Sequence, residues 1–214
     1  MRIFGKSREI GMNNTIVILA NSIKHGLRCV AGKSADGGRW VRLVANAEGG
    51  AVTTDQASYT NKYGCFVAKP MQKIIMNITQ PVPLINQPEN VLIEPGWVQH
   101  YNIVAAELPR YQDRPESLWG EGKRISQAEI VFGGYVVDQS LYLVKVENLT
   151  LFRSAENKRR ATFRYGTIEY DLPVTCTNFD SIESGNCQHD NWVVASLGEA
   201  HRDGYHYKII ATIL

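Results

Sequence analysis

The stretch at residues 159–174, RRATFRYGTIEYDLPV, constrains the fold more than any other part of the sequence. Two runs rich in β-branched and aromatic residues flank Gly166-Thr167, and glycine at the first central position is typical of a two-residue type II′ hairpin turn. Such a turn fixes three facing pairs, which are Tyr165 with Ile168, Arg164 with Glu169, and Phe163 with Tyr170. One face of the hairpin is then aromatic and apolar, and the other pairs opposite charges. The sequence therefore predicts an antiparallel β-hairpin here.

Short β segments punctuated by Gly, Asn and Asp fill most of the remaining chain. In the first half they are TIVILA, LRCVAGK, RWVRLV, GCFVAK and QKIIMNITQPV, and the Gly-rich loop KSADGG between the second and third favours an antiparallel hairpin. The second half adds SLYLVKVENLTLF and the terminal NWVVASLGEAHRDGYHYKIIATIL. In that terminal stretch, period-two alternation separates two sets of side chains: Tyr205, Tyr207, Ile209 and Ile213 on one side, His206 and Lys208 on the other.

The middle of the chain carries helical signals instead. Apolar residues recur at helical spacing up to Pro109, which would end or kink the helix; they are Trp97, Tyr101, Val104, Ala105 and Leu108. A second short helix is indicated by the capping-box pattern Ser126-Gln-Ala-Glu129, which precedes Phe132. Two helical pieces are therefore predicted between two β-rich halves.

Composition sets broad limits on the class of protein. The 214 residues are 44% hydrophobic and 21% charged, which is enough to bury a core in one large domain or two small ones. A net charge of +2 neither requires nor excludes a polyanionic partner, because a local basic patch can bind phosphates. The apolar run at residues 15–20 is too short for a signal peptide, and no run reaches the roughly 20 residues that span a bilayer. We expect a cytoplasmic protein without a membrane partner.

The four cysteines give little sign of a metal site. No C-x-x-C pair is present, and the set Cys176, Cys187 and His189 matches no common zinc spacing. Reduced and mostly buried thiols are the prediction, with neither metal nor cofactor.

Five of the quoted stretches together resemble the dual OB-containing domain family of bacterial and phage proteins. They are ILANSIKHGLRCVAGK, GRWVRLV, SLYLVKVENLTLF, TFRYGTIEYDLPVT and VVASLGEAHRDGYHYKIIATIL, and the resemblance covers residues 15–214. It implies a pair of small Greek-key β-barrels, but the members are largely uncharacterised, so it transfers a fold better than a function. Leu27 departs from the pattern, which has a small residue there.

The resemblance and the residue patterns lead to the same architecture. We predict an all-β protein of two OB-like Greek-key small barrels with a short helical bridge. The predicted division is an arm at residues 1–11, a first barrel with its following helix at 12–120, and a second barrel at 121–214.

OB-type barrels commonly bind oligonucleotides or oligosaccharides. Single-stranded nucleic acid is bound by cations that follow the phosphates and by aromatic rings that stack on bases. Both residue classes occur in one predicted hairpin, at Lys24, His25, Arg28, Lys33, Arg39, Trp40 and Arg42. The alternative is that Trp40 belongs to the core and the cations lie on solvated edges. A second basic group comprises Arg153, Lys158, Arg159, Arg160 and Arg164. The alternative for this group is likewise a solvated face without a ligand.

The predicted function is binding of single-stranded or structured nucleic acid. The resemblance alone implies that the protein is an accessory or specificity module in conflict between bacteria and phages. A protein-protein interaction module is one alternative, anchored by Trp192, Tyr205 or Tyr207. An enzyme acting on nucleotides or nucleic acid is another, and would use Ser196, Glu199, His206 and Lys208 in acid-base or Ser-His chemistry. Neither G-x-S-x-G nor a phosphate-binding P-loop motif occurs in the sequence.

Overall fold

The computed structural model describes residues 13–184 and 190–214, without the side chains of Asn13 and Lys24. The predicted arm at residues 1–11 and the candidate zinc ligands Cys187 and His189 lie outside the described residues. Strands account for 52% of the chain and helices for 9%, which confirms the predicted all-β class.

Strands follow one another along both halves of the chain. Those of the first half are β1 (Asn13–Lys24), β2 (Leu27–Ser34), β3 (Trp40–Val44), β4 (Ser58–Asn61), β5 (Gly64–Val67), β6 (Gln72–Pro81), β7 (Asn90–Ile93) and β8 (Val98–Asn102). Those of the second half are β9 (Arg124–Ser126), β10 (Leu141–Lys145), β11 (Glu147–Arg153), β12 (Arg159–Tyr165), β13 (Ile168–Pro173), β14 (Trp192–Ala200) and β15 (Tyr205–Ile213). The helical elements are a 3-10 helix (Ala105–Tyr111), α1 (Gln127–Val131) and α2 (Phe179–Glu183).

Five strands of the first half close into a barrel. Their order is β1-β2-β3-β7-β6, and β1 pairs again with β6 to complete the ring. All neighbours are antiparallel except β3 and β7, which are parallel. When the five strands are numbered by their order in the chain, their order around the barrel is 1-2-3-5-4-1. This is the order of an OB fold and confirms the predicted architecture for this half. β8 pairs with β6 outside the ring, and β4 and β5 form a separate hairpin.

The alternation along β1 explains how one strand serves two cores. Ile16 and Ile18 belong to the cluster inside the barrel, whereas Val17 and Leu19 belong to a cluster shared with the second half. Gly32 of β2 faces Ile18, and a Cβ atom added at Gly32 would lie 2.2 Å from the backbone oxygen of Val17. Only glycine therefore allows β1 and β2 to approach this closely.

The second half repeats the strand order less completely. In the first barrel, the single strand β1 pairs with both β2 and β6. In the second half, two strands share the corresponding position: β11 pairs with β12, and β10 pairs with β14. β12 and β13 continue the order, and β15 pairs with β14. Between β13 and β15 the contact is a single parallel bridge from Val174 to Ile210, supported by a 2.9 Å hydrogen bond from Thr175 N to Ile210 O. This half is consequently a half-barrel.

The predicted hairpin at residues 159–174 is present in the predicted register. All three predicted facing pairs occur, and Gly166 has a φ of +60°. The rings of Phe163 and Tyr170 are buried and stacked, with centroids 5.5 Å apart. Arg164 faces Glu169 but forms its ion pair with Glu147 of β11 instead. Local turn chemistry thus determined the register, and a third strand determined the charge pairing.

One of the two predicted helices is wrong. Trp97 and Tyr101 do not share a helix: Tyr101 lies in β8, opposite Lys73 of β6, and a 3-10 helix with Pro109 inside it follows. Backbone pairing with β6 therefore overrides the helical spacing. The second prediction is confirmed as α1, where Ser126 N donates to Glu129 Oε2 at 3.3 Å. Among the described residues, no helix has the length and apolarity needed to cross a membrane.

A shared hydrophobic core joins the two halves. The outer faces of β1, β2 and β3 supply Val17, Leu19, Ala31 and Trp40, while β10, β14 and β15 supply Leu141, Leu143, Trp192, Val194 and Ala211. Leu108 and Tyr111 of the 3-10 helix fill the same cluster. The sheet β10-β14-β15 therefore covers the outer face of strands two and three of the first barrel.

Candidate nucleic-acid interface

The surface that an OB barrel ordinarily offers to a ligand is covered in the first barrel. OB folds bind across strands two and three and the loops that join strands one to two and four to five. Here strands two and three are β2 and β3, and they carry three of the predicted site residues. Lys33, Trp40 and Arg42 are only 4%, 5% and 8% exposed, respectively. The prediction that these side chains face a phosphate backbone is corrected by their burial against the second half.

Lys33 and Trp40 are both bound by one carboxylate. Lys33 Nζ lies 2.6 Å from Asp113 Oδ1, and Trp40 Nε1 donates to Asp113 Oδ2 at 2.9 Å. Leu143 N of β10 donates to the same Oδ2 at 2.8 Å. Asp113 therefore ties β2 and β3 of the first barrel to β10 of the second half. The alternative in which Trp40 belongs to the core is the one that the structure shows.

Arg42 makes an equivalent connection at another point of the seam between the halves. Its Nη2 donates to Ser140 Oγ at 2.8 Å and to Ser196 Oγ at 3.0 Å, both in the second half. Its Nε lies 3.5 Å from Glu89 Oε1. Since a buried guanidinium needs such partners, Arg42 holds the halves together and is not available to a ligand.

The remaining predicted residues divide between two places. His25 and Arg39 are exposed, and Arg28 is half-buried; Lys24 ends β1, but its side chain is outside the described atoms. Arg39 lines a cavity of about 430 Å³ together with the carboxylates of Glu89 and Asp138. Those acidic neighbours make that cavity a poor site for a polyanion.

Arg28 lies at a second cavity of about 520 Å³, which we call the interbarrel cavity. Residues of both halves line it: Asn21, Ile23, Arg28, Val67, Ala68, Lys69, Pro70 and Met71 from the first, and Cys176, Thr177, Asn178, Thr212, Ile213 and Leu214 from the second. A bridge between Ser22 and Cys176 brings the first strand against the second half at this point. The cavity is therefore a product of the way the two halves pack.

The guanidinium of Arg28 is held by two neutral groups. Nη1 donates to Asn21 Oδ1 at 3.1 Å, and Nε donates to Thr54 Oγ1 at 3.2 Å. Backbone hydrogen bonds of 2.8 and 3.0 Å between Arg28 and Val52 fix the residue itself. Because both side-chain partners are neutral, the positive charge of Arg28 is oriented without being cancelled. Lys69 adds a second, exposed cation to the cavity lining.

The wall of the cavity is mostly apolar and rigid. Asn21 Nδ2 donates to Ala68 O at 2.5 Å, which fixes the segment that precedes β6. Cys176 is buried, and burial raises the pKa of its thiol to about 11, so it stays protonated and acts as an apolar group near neutral pH. The cavity thus combines apolar walls with two cations.

The turn between β1 and β2 lies beside the same cavity. His25 and Gly26 form this two-residue turn and have φ angles of +52° and +79°, as a type I′ hairpin requires. Ile23 and Arg28 flank the turn, and both line the cavity. The loop joining strands one and two is a common ligand contact in OB folds, and here it stays accessible.

The second basic group is neutralised by carboxylates. Arg153 and Arg159 both pair with Asp180 of α2, and Arg153 also pairs with Glu183. Arg160 pairs with Asp171 at 2.7 Å, and Arg164 with Glu147. These four arginines therefore form a charge-balanced surface, in agreement with the solvated-face alternative.

The four residues of the enzymatic alternative do not share a cleft. Ser196 faces Arg42 at the seam, and Glu199 lines a small cavity with Arg42 on that side. Lys208 lies opposite Leu197 and is buried in the second half, where Nζ donates to Gly120 O at 2.7 Å and Glu121 O at 2.9 Å. His206, two residues before it on the same side of β15, is also buried, with Nδ1 2.9 Å from Gly198 O. Ser196 and Glu199 thus line one small cavity at the seam, whereas the buried His206 and Lys208 do not line it.

The anchors of the protein-binding alternative are also divided. Trp192 is 5% exposed in the shared core and cannot anchor a partner. Tyr205 and Tyr207 are half-buried, and the guanidinium carbon of Arg124 lies 3.8 Å from the centroid of the Tyr205 ring. Tyr207 donates to Asp203 at 2.6 Å. Both tyrosine rings are thus occupied by neighbours of their own chain.

Sequence reasoning missed most of the interbarrel cavity. Asn21 stands next to the quoted basic stretch, yet an asparagine inside an apolar strand carries no signal of its own. Lys69, Met71 and Asn178 come from segments without a motif. Only contacts between distant parts of the chain bring them together with Arg28.

Comparisons with known proteins identify the family of the chain. The chain is similar to the crystal structure of the tetrameric p202 HIN2, at 10% identity over 95% of this chain and 92% of that chain, with a TM-score of 0.33. A similarity of that size carries no argument about ligands. No curated protein matches the chain. The model of the dual OB-containing domain, in contrast, matches residues 14–213, and the chain therefore belongs to the dual OB-containing domain family.

Proposed function

We propose that this protein binds nucleic acid at the interbarrel cavity. The observation that carries the proposal is the position of Arg28, which projects an uncancelled charge at a cavity between two OB-type halves. OB folds are frequent binders of oligonucleotides, and the first barrel keeps its loop between strands one and two open beside this cavity.

The cations of the two halves differ in whether a carboxylate neutralises them. The arginines of β12 are paired with carboxylates, and Lys33 and Arg42 are buried in ion pairs. Arg28 and Lys69 are the cations that line the interbarrel cavity, and exposed His25 stands in the adjacent turn. Phosphate groups are therefore attracted to this place more strongly than to the surface of β12 and β13.

The apolar walls support the same proposal. Val67 and Pro70 on one side and Leu214 on the other are partly exposed and offer contact area to uncharged rings, while the cations reach the backbone. Cations that follow phosphates beside surfaces that contact bases are the pattern found in single-strand binding proteins.

Fluorescence anisotropy of labelled single-stranded DNA, duplex DNA and RNA at several salt concentrations tests the proposal. We expect affinity to fall with salt, and Arg28→Ala with Lys69→Ala to flatten the logarithmic salt slope for a single strand by about 1.4, the value for two lost phosphate contacts. Arg160→Ala is the matched control, because it removes an arginine already paired with Asp171. Equal slopes in the wild type and the double variant would remove Arg28 and Lys69 from the site.

The biological setting is part of the proposal. A cytoplasmic accessory or specificity module in conflict between bacteria and phages is supported only by the resemblance to a family of bacterial and phage proteins. The measurement is phage plaque formation on bacteria with and without the gene, with the Arg28→Ala and Lys69→Ala double variant as the comparison. Equal plaque numbers in all strains would argue against this setting.

A further inference from the structure

We infer that the interbarrel cavity takes an unpaired base of a single strand, and not a segment of duplex. This inference rests on the proposed function and specifies its substrate. The cavity volume of about 520 Å³ lies in the range of sites that enclose one small organic ligand. A base with its sugar fits such a volume, whereas a duplex, whose bases are stacked and paired, presents its grooves and phosphates and cannot enter.

The walls suit the two flat faces of a base. Pro70 and Met71 belong to the first half, and Leu214 follows the last strand of the second half; all three are partly exposed, so the ligand would lie between the two halves. Apolar side chains that sandwich an extruded base are a known means of holding it. Arg28 and Lys69 line the same cavity and would bind the phosphates of the strand at its mouth.

The floor of the cavity contains a strained residue. Met71 has a φ of +72°, in the left-handed region that is unfavourable for a non-glycine residue. Two hydrogen bonds hold it there, from Met71 N to Ile18 O and from Ile103 N to Met71 O, both at 2.8 Å. The strain places a flexible thioether at the site, and such a side chain adapts to rings of different shape.

The polar groups of the cavity are mostly engaged within the protein. Asn21 uses its amide nitrogen on Ala68 and its oxygen on Arg28, and Asn178 Nδ2 donates to Ile213 O at 3.2 Å. Two hydroxyls of the lining are left to distinguish one base edge from another: that of Thr212, which is buried without a hydrogen-bond partner, and that of exposed Thr177. We therefore expect the cavity to select for the absence of pairing more strongly than for a base identity.

The test uses a single strand of about 16 nucleotides that carries one central 2-aminopurine, and a duplex of the same sequence. This base fluoresces weakly when stacked and strongly when it leaves the stack. Exposed Thr177 lines the cavity, so Thr177→Trp would put an indole across it while changing no charge. Thr177→Ser is the matched control, and thermal melting checks that both variants fold.

For the wild type and Thr177→Ser we expect an increase in 2-aminopurine emission on binding the single strand, and affinity at least about tenfold greater than for the duplex. Thr177→Trp should abolish the increase and weaken single-strand binding by a similar factor. Salt-dependent binding to both substrates with equal affinity, unchanged in Thr177→Trp, would overturn the inference and leave the proposed function standing. Absence of binding to either substrate at low salt would overturn both.

Discussion

Asp113→Ala should destabilise the protein by breaking the polar connection between its two halves. The carboxylate is 13% exposed and receives Lys33 Nζ at 2.6 Å, Trp40 Nε1 at 2.9 Å and Leu143 N at 2.8 Å. Its removal leaves the ammonium of Lys33, which is 5% exposed, without its counter-ion in the seam. Breaking a buried ion pair from one side costs about 3–5 kcal/mol, and the two N–H groups that lose their acceptor place the expected value at the upper end.

Urea denaturation followed by tryptophan fluorescence measures this cost. Two of the four tryptophans, Trp40 and Trp192, lie in the shared core, so part of the emission comes from the seam. Asp171→Ala is the matched control, because it removes an exposed carboxylate that also pairs with a cation, Arg160, and should cost no more than about 1 kcal/mol.

The double variant Lys33→Met with Asp113→Ala separates the mechanism from a general loss of packing. Most of the cost of Asp113→Ala is assigned to a stranded charge, so removing that charge should restore a large part of the stability. A cost of Asp113→Ala below about 1 kcal/mol, or a double variant less stable than Asp113→Ala alone, would refute the reasoning.

Two further predictions concern stability. Burial lowers the pKa of Lys208 from its ordinary 10.5 to about 8. Between these pH values the unfolded chain binds more protons than the folded chain, so the free energy of unfolding should increase with pH, by up to about 3 kcal/mol. Below pH 8 this contribution to the free energy of unfolding is constant. Urea titrations from pH 7 to 10 should show this gain in the wild type but not in Lys208→Met, and parallel curves would contradict it. Gly32→Ala should cost about 3 kcal/mol by overpacking, measured by thermal melting against Gly134→Ala, where an added Cβ meets nothing closer than 3.5 Å.

The features predicted from sequence are those that depend on neighbours in the chain. The register from Phe163 to Tyr170 follows from Gly166, whose positive φ selects the turn, and α1 follows from the capping pair Ser126 and Glu129. The helix predicted around Tyr101 failed because the same residues form an edge strand on β6. Helical spacing over one short segment cannot reveal a pairing partner that is distant in sequence.

The candidate site shows the same division more sharply. Lys33 and Trp40 have the composition of a nucleic-acid surface, and only their contact with Asp113, 80 and 73 residues away, makes them internal. The sequence shows the period-two alternation of side chains along β15, but the alternation does not predict which of the two sides is buried. The buried side proves to be that of His206 and Lys208, because the carbonyls of residues 120 and 121 accept from the ammonium.

The surface with which OB folds ordinarily bind ligands is covered in the first half and neutralised by ion pairs in the second. In the first barrel β2 and β3 are covered by the second half, so no ligand reaches their outer face. In the second half β12 and β13 stay open, but Arg160 and Arg164 are neutralised by Asp171 and Glu147. A polyanion therefore gains little from either surface. At the interbarrel cavity, where Arg28 is held by neutral partners, packing of the two halves creates the cavity that we propose as the binding site, and neither half would form it alone.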